Sequence, residues 1–315
     1  MQWKKLGLLW APNGECDWAR THATLPVVQR LSNDDWWVYV STRDAQGKSR
    51  IGRLTVGVSE TGDDEPHVRQ FDPSPVLSLG EPGTFDDSGV MPASLVQDGD
   101  HLRLYYVGWN VLATVPYKQS IGVAVSDDGG VTFRRFSQGP LIDRSIQEPY
   151  FVTSPFVLRE NDLWRMWYVS CTGWEQIEGR WEPAYHVKYA ESRDGFDWNI
   201  TSVSCLDAGA GLAVARPCVF SLGRRYGMLY PFRSLRNYRT DPNEAYQLGY
   251  AESDDGIKWE RRDHEVGIRR SPSGWDSEML AYGWIQRHGN QTYLLYNGNG
   301  FGRSGVGVAT LIEAS

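Results

Sequence analysis

The stretch Met91–Phe133, MPASLVQDGDHLRLYYVGWNVLATVPYKQSIGVAVSDDGGVTF, carries the pattern on which the whole chain is built. It reads as three strands and a closing turn. Met91-Pro92-Ala93-Ser94 opens an apolar strand, where proline is tolerated because no ladder donor is lost inside the strand. The polar turn Gln97-Asp98-Gly99-Asp100 leads into the aromatic, alternating strand Leu102-Arg103-Leu104-Tyr105-Tyr106, as a hairpin requires. Ile121-Gly122-Val123-Ala124 forms a third strand. Ser126-Asp127-Asp128-Gly129-Gly130-Val131-Thr132-Phe133 then fits the Asp-box pattern S-x-D-x-G-x-x-[WF]. In such a turn the Ser and Asp side chains accept backbone N–H groups, glycine supplies positive φ, and the aromatic packs back onto the sheet.

The same unit recurs along the chain. Its third strand is repeated at Ile51-Gly52-Arg53-Leu54, Val187-Lys188-Tyr189-Ala190, Leu248-Gly249-Tyr250-Ala251 and Val306-Gly307-Val308-Ala309, spaced by roughly 60 to 70 residues. Aromatic strands precede each of them, at Trp37-Val38-Tyr39-Val40, Trp164-Arg165-Met166-Trp167-Tyr168, Tyr226-Gly227-Met228-Leu229-Tyr230 and Thr292-Tyr293-Leu294-Leu295-Tyr296. Shorter forms of the turn follow at Ser192–Trp198 and Ser253–Trp259. A lone meander leaves an apolar face bare, so the units must stack, and radial stacking closes a ring. Counting units predicts an all-β, five-bladed β-propeller in a single domain spanning 1–315. Its blades fall at 20–58, 85–134, 148–199, 212–260 and 276–312, with an N-terminal strand over 2–10 closing the ring as the outer strand of the last blade.

Composition narrows the function. The net charge is −7 with both signs interspersed, and no Lys/Arg cluster is long enough to follow a phosphate backbone, so nucleic acid is not an expected partner. The four cysteines (Cys16, Cys171, Cys205, Cys218) have neither CxxC nor metal spacing and read as reduced. The apolar stretch Leu6–Trp10 is too short for a signal peptide, and no other segment could span a membrane. A cytoplasmic protein is expected, with no membrane partner. Neither HxxxH, HxH, an EF-hand loop nor a P-loop occurs, so neither metal nor cofactor is predicted. Fourteen Trp and sixteen Tyr suit strands, and they also suit sugar sites, where an aromatic face covers the apolar side of a pyranose.

Five units with turns of the form SxDG(x)xxW resemble the glycosidase-like propellers of the arabinanase, xylosidase, invertase and levansucrase clans. The resemblance spans nearly the whole chain and lies in repeat architecture. It implies three carboxylates at the tunnel mouth: one in the first blade beside a proline, an Asp in the second, and an acid Glu in the third. This chain departs from that pattern, with Leu25 before Pro26 and Thr153 two residues before Pro155.

Segments leading into the innermost strands nevertheless supply titratable groups. Blade one offers Asp17, Arg20 and His22; blade two Asp86 and Asp87; blade three Arg144 and Glu148; blade four Arg216; and blade five Asp276 and Glu278. Acids converging from blades two, three and five would suit glycosyl transfer, which needs one protonated and one ionised carboxyl. Glu148 is the expected general acid, Asp86 or Asp87 the base or pKa-setting partner, and Asp276 or Glu278 the other carboxylate. Arg20, His22, Arg144, Arg216, Arg233 and Trp109 are expected to bind substrate. Tyr117, Trp174 and Trp181 lie in loops after second strands, where they could stack on sugar rings. Each residue has a structural alternative: Asp87 and Asp276 could build turns, Arg216 a structural ion pair, His22 an ordinary hydrogen bond. The expected function is a glycoside hydrolase-like enzyme acting on a small carbohydrate or activated sugar. The alternatives are a non-catalytic carbohydrate-binding propeller and a glycoside phosphorylase using those arginines.

Overall fold

The structure is a computed structural model that describes residues 1–59, 61–62 and 64–312. It is nearly all strand, arranged as successive antiparallel meanders. The first comprises Thr21–Arg30, Asp35–Arg43, Ser49–Gly57 and His67–Phe71. The second comprises Gly89–Asp98, His101–Val111, Tyr117–Ser126 and Arg134–Arg135, and a single parallel bridge from Ser49 to Gly89 links it to the first. Val152–Glu160, Leu163–Ile177, Arg180–Ser192 and Trp198–Leu206 make the third. The fourth runs through Cys218–Leu222, Arg225–Ser234, Gln247–Ser253 and Glu260–Arg261, with Leu212–Val214 on the far end of Arg225–Ser234. In the fifth, Ala281–His288, Gln291–Asn297 and Val306–Leu311 are followed by Trp3–Trp10, which pairs antiparallel with the last strand. Contacts run from each meander to the next and from the fifth back to the first.

The strand His67–Phe71 lies beyond the first unit read from sequence. Its polar composition (HVRQF) and largely exposed side chains carry no apolar alternation, so periodicity does not reveal it.

One joint is repeated between neighbouring meanders. Ser126, Ser192 and Ser253 each accept a backbone N–H from the glycine at the crest of their turn (Gly130, Gly195 and Gly256). The carbonyl of that same glycine then receives a ring donor from the preceding meander: Tyr39 to Gly130 at 2.9 Å, Tyr105 to Gly195 at 2.9 Å, Trp167 to Gly256 at 2.6 Å. Phe133, Trp198 and Trp259 stand edge-on against those three rings. Arg53, Arg103 and Arg165 donate to carbonyls of the same turns, each anchored by an acid of its own meander (Asp72, Asp98 and Glu160). These side chains are nearly buried, so the charge-assisted bonds act where water screens them least.

The third-strand glycines have a packing cause. A Cβ on Gly307 would stand 2.1 Å from the Trp275 ring, and one on Gly122 would stand 2.5 Å from the Tyr106 ring. The aromatic lies flat on backbone there, and only hydrogen fits beneath it. Gly307→Ala should therefore destabilise the protein by about 1–3 kcal/mol through overpacking. Denaturant unfolding checks this, and an unchanged midpoint would mean that Trp275 has room to shift.

Candidate functional site

The acids singled out from sequence do not meet. Asp86 is fully buried, accepting from the Tyr106 hydroxyl at 2.9 Å, Arg135 Nε at 2.7 Å and Thr84 at 3.0 Å. Glu148 is equally buried, accepting from Tyr168 at 2.7 Å, Lys188 at 2.8 Å and the Ser170 hydroxyl. Asp276 accepts from Tyr296 at 3.0 Å and Lys5 at 2.6 Å. Each acid stands 20 residues before the tyrosine it binds. The fourth meander builds the same contact from the other side, with Tyr230 donating to Asp263, which also pairs with Arg261. The aromatic-acid opening is thus a repeated clamp: the ring covers the third-strand glycine, and the acid ties down the second-strand tyrosine. Among the described residues no hydrogen bond joins any two of these acids, and each is engaged by partners of its own meander. Burial raises the pKa of Tyr106, Tyr168, Tyr230 and Tyr296, and the neighbouring carboxylates add to it, so these phenols stay protonated donors.

The remaining candidates are dispersed. Asp87 builds a turn, accepting from the Gly83 N–H, Ser88 and Asn110; desolvation opposes ionisation, but these bonds outweigh it and hold the carboxyl below its usual value. Glu278 is exposed, and its N–H donates to Asn299. Arg20 pairs with Asp17 at the surface, and Arg144 is exposed beside Asp143. Arg216 is buried and makes no ion pair among the described residues; its guanidinium donates to the carbonyls of Pro26, Ala93 and Tyr282. Burial lowers its pKa to about 10. Arg233 is also buried, 3.7 Å from the Tyr238 ring centre, and donates to the Pro183 and Ser234 carbonyls.

What the fold does assemble is a cavity of about 350 Å³ where the innermost strands begin. That volume lies within the usual range for small-molecule sites, about 300–1,000 Å³. Every meander contributes: Thr24, Leu25 and Arg43 from the first, Met91, Trp109, Tyr117 and Gln119 from the second, Phe151, Thr153, Ser154, Val169 and Tyr185 from the third, Ala215, Tyr238, Arg239 and Tyr246 from the fourth, Tyr282 and Phe301 from the fifth. Bulges interrupt four of the five innermost strands here, and Leu25, Ser154 and Tyr282 take positive φ within them. A bulge re-aims its residues, which turns these side chains toward the axis.

Aromatic rings make up much of the wall. Trp174 packs behind Tyr117 and Phe151, and Trp181 lies in an outer cleft that shares Arg239 with the cavity. Arg233 backs Tyr185, Tyr238 and Tyr246, and the Tyr185 and Tyr246 hydroxyls are bonded to each other. No Asp or Glu lines the cavity among the described residues. Glu182 reaches the wall through Tyr238 and Arg239; burial opposes its ionisation, but their hydrogen bonds dominate and hold it below the usual value. Of the residues chosen from sequence as sugar-binding candidates, Trp109 and Tyr117 line this cavity, from strands rather than the loops expected, and His22 lies beside Arg43 and Arg303. Sequence reasoning misses Arg43, Arg239 and the tyrosines Tyr185, Tyr238, Tyr246 and Tyr282 as site residues. They come from strand ends, from the long hairpin of the third meander and, for Tyr238 and Arg239, from the turn after Arg225–Ser234, and only the bulged residue before each proline or glycine hints at the axis.

Lys188→Met leaves Glu148 buried without its cation and should cost about 3–5 kcal/mol of stability by denaturant unfolding; no loss would show that the clamp is dispensable. Burial, then Arg43 and Arg303, depress the His22 pKa from 6.5 to about 4. The unfolded chain therefore takes up a proton that the folded one refuses as pH falls from 6.5 toward 4, and stability declines across that window. His22→Gln should flatten that part of the pH–stability curve, and an NMR titration of the ring should find it neutral at pH 6.

No family model matches the chain. "Uncharacterized protein Rv1502" and "Uncharacterized protein MT1551", both of Mycobacterium tuberculosis, are each 37% identical to it over 313 residues, covering 99% of this chain and 99% of theirs. Among solved structures, a complex of BT0996 with RGII superposes with a TM-score of 0.73 at 17% identity, covering 99% of this chain and 92% of that one. A thermostable family-43 glycoside hydrolase gives 0.64 at 14% identity, with 92% and 89% covered. A Bombyx mori GH32 beta-fructofuranosidase in complex with sucrose gives 0.59 at 16% identity, with 93% and 61% covered. The fold is therefore that of the propeller glycoside hydrolases, and the chain belongs to the family of the two mycobacterial proteins.

Proposed function

We propose that this chain is a five-bladed β-propeller of the glycoside hydrolase-like kind, and that a small carbohydrate or activated sugar occupies its axial cavity. Each meander is one blade, and pairing of Trp3–Trp10 with Val306–Leu311 closes the ring. The observation that carries the reading is the cavity itself, lined by side chains from every blade, with aromatic rings from the second to the fifth, and rimmed by arginine and tyrosine donors. Aromatic faces cover the C–H faces of a sugar, and the donors address its hydroxyls. The neighbours' names agree: one is a complex with RGII, another holds sucrose. A cytoplasmic location belongs to the same proposal, supported by four cysteines without a disulfide.

Glycoside cleavage uses two carboxyl groups, about 5–10 Å apart, around the scissile bond. A second reading, recognition without cleavage, is favoured by a specific observation: Asp86, Glu148 and Asp276 are each enclosed in an ion pair, and no acid among the described residues lines the cavity. If turnover occurs, Glu182 is the carboxylate joined to the wall, and Glu148 would have to leave Lys188.

The test is a panel of aryl glycosides and nucleotide sugars, with binding and turnover followed for wild type, Glu182→Gln, Glu148→Gln and Tyr238→Ala. Tyr238→Ala should weaken sugar binding at least tenfold. Turnover that falls at least a hundredfold in one Glu→Gln variant, with binding intact, establishes the hydrolase. Binding without turnover in wild type establishes the recognition protein, and absence of any sugar binding overturns both.

A further inference from the structure

The hydrogen-bonding groups of the cavity are unbalanced, and the imbalance has a sign. Arg43 ends the strand Asp35–Arg43, is partly buried, and lines the cavity. Among the described residues its guanidinium has neither an ion pair nor a hydrogen-bond acceptor; the groups that act on it electrostatically are the phenols of Tyr282 and Tyr117. Those two hydroxyls also lack hydrogen-bond partners among the described residues, and both rings line the cavity. Thr24, 3% exposed and on the same wall, has a side-chain oxygen without a partner. His22 stands beside Arg43, with the exposed Arg303 beyond it.

A guanidinium offers five donors and accepts nothing; the hydroxyls around it can accept as well as donate, but none of them carries the counter-charge it lacks. Other buried arginines of this chain have acceptors for their guanidinium groups, although Arg216 Nε itself has none among the described residues. Arg53, Arg103 and Arg165 have acids, and Arg216 and Arg233 have main-chain carbonyls. Arg239, which also lines the cavity, is held by Glu182. Arg43 alone among these faces the cavity without a counter-charge, at a place where desolvation makes an unpaired cation costly.

Resting on the reading of the cavity as a saccharide site, we infer that its ligand is an anionic saccharide whose oxyanion is held by Arg43 together with the Tyr117 and Tyr282 hydroxyls. The charged group supplies the counter-charge that this wall lacks, while the ring of the sugar lies against Trp109, Phe151 and Tyr246. A planar carboxylate fits the guanidinium in a two-bond fork, and a tetrahedral phosphate takes the same donors. Both sources share one chemistry, a single oxyanion on a sugar ring. Burial lowers the pKa of Arg43 and of His22, and an anion seated between them would relieve both.

Titration calorimetry with D-glucose, D-glucuronate and D-glucose 6-phosphate compares one ring with and without charge. Wild type should bind at least one of the two acids ten or more times more tightly than glucose, and the better acid identifies carboxylate or phosphate as the source. Arg43→Gln should abolish that preference, bringing the affinity for the acids down to that for glucose, and Arg43→Lys, which keeps the charge but not the fork, should retain part of it. Circular dichroism and unfolding midpoints establish that the variants are folded. Equal affinity for glucose and both acids overturns the inference and leaves the saccharide site standing. An acid preference that survives in Arg43→Gln places the anion elsewhere and also overturns it. No binding of any of the three removes the saccharide reading together with this one.

Discussion

One guanidinium holds the centre of this molecule. Arg216 comes from the fourth meander, and its donors reach carbonyls of the first, second and fifth at Pro26, Ala93 and Tyr282. All three acceptors lie inside bulges, where the ladder is interrupted and the carbonyls lack strand partners. Burying a cation with no counter-acid is expensive, and burying bare carbonyls is expensive too. Each cost answers the other. The strand ends that carry the cavity wall are fixed by this exchange, since Leu25, Ala215 and Tyr282 adjoin or belong to it.

Outward from that centre, stability is distributed among repeated joints of one design. The turn of one meander presents a glycine carbonyl and an aromatic ring, and the preceding meander presents an arginine and a ring donor. The clamp of acid, tyrosine and base is a second device of the same kind, local to each of the second to fifth meanders. Buried ion pairs of this sort specify geometry more than they add net stability, because desolvation offsets the attraction.

The repeats are legible because packing writes them into the chain at fixed spacing. Phe85-Asp86 and Trp275-Asp276 look alike because each ring lies on a third-strand glycine and each acid takes a second-strand tyrosine. That same regularity misleads about chemistry. An acid recurring once per unit near the axis has the distribution expected of convergent catalytic groups and also that of a clamp, and sequence spacing does not separate them. The cavity is harder to read for the converse reason. Arg43, Tyr185, Tyr246 and Tyr282 occupy unrelated places in their units, and only the bulges and the ring closure bring them together. Trp109 is legible because it follows an aromatic strand, and Arg239 is not, because nothing in its loop marks it.

The placement of Arg216 also decides how a ligand travels. With that side chain 1% exposed and bound to strand ends on several sides, the axis is stoppered beneath the cavity. A propeller with an open bore would let a polymer thread through and be worked along its length. An axis closed by Arg216 does not offer that path, so a ligand of the proposed site would enter and leave from the cavity side, and a long chain would present its terminus there. Such a vessel suits single residues and chain ends.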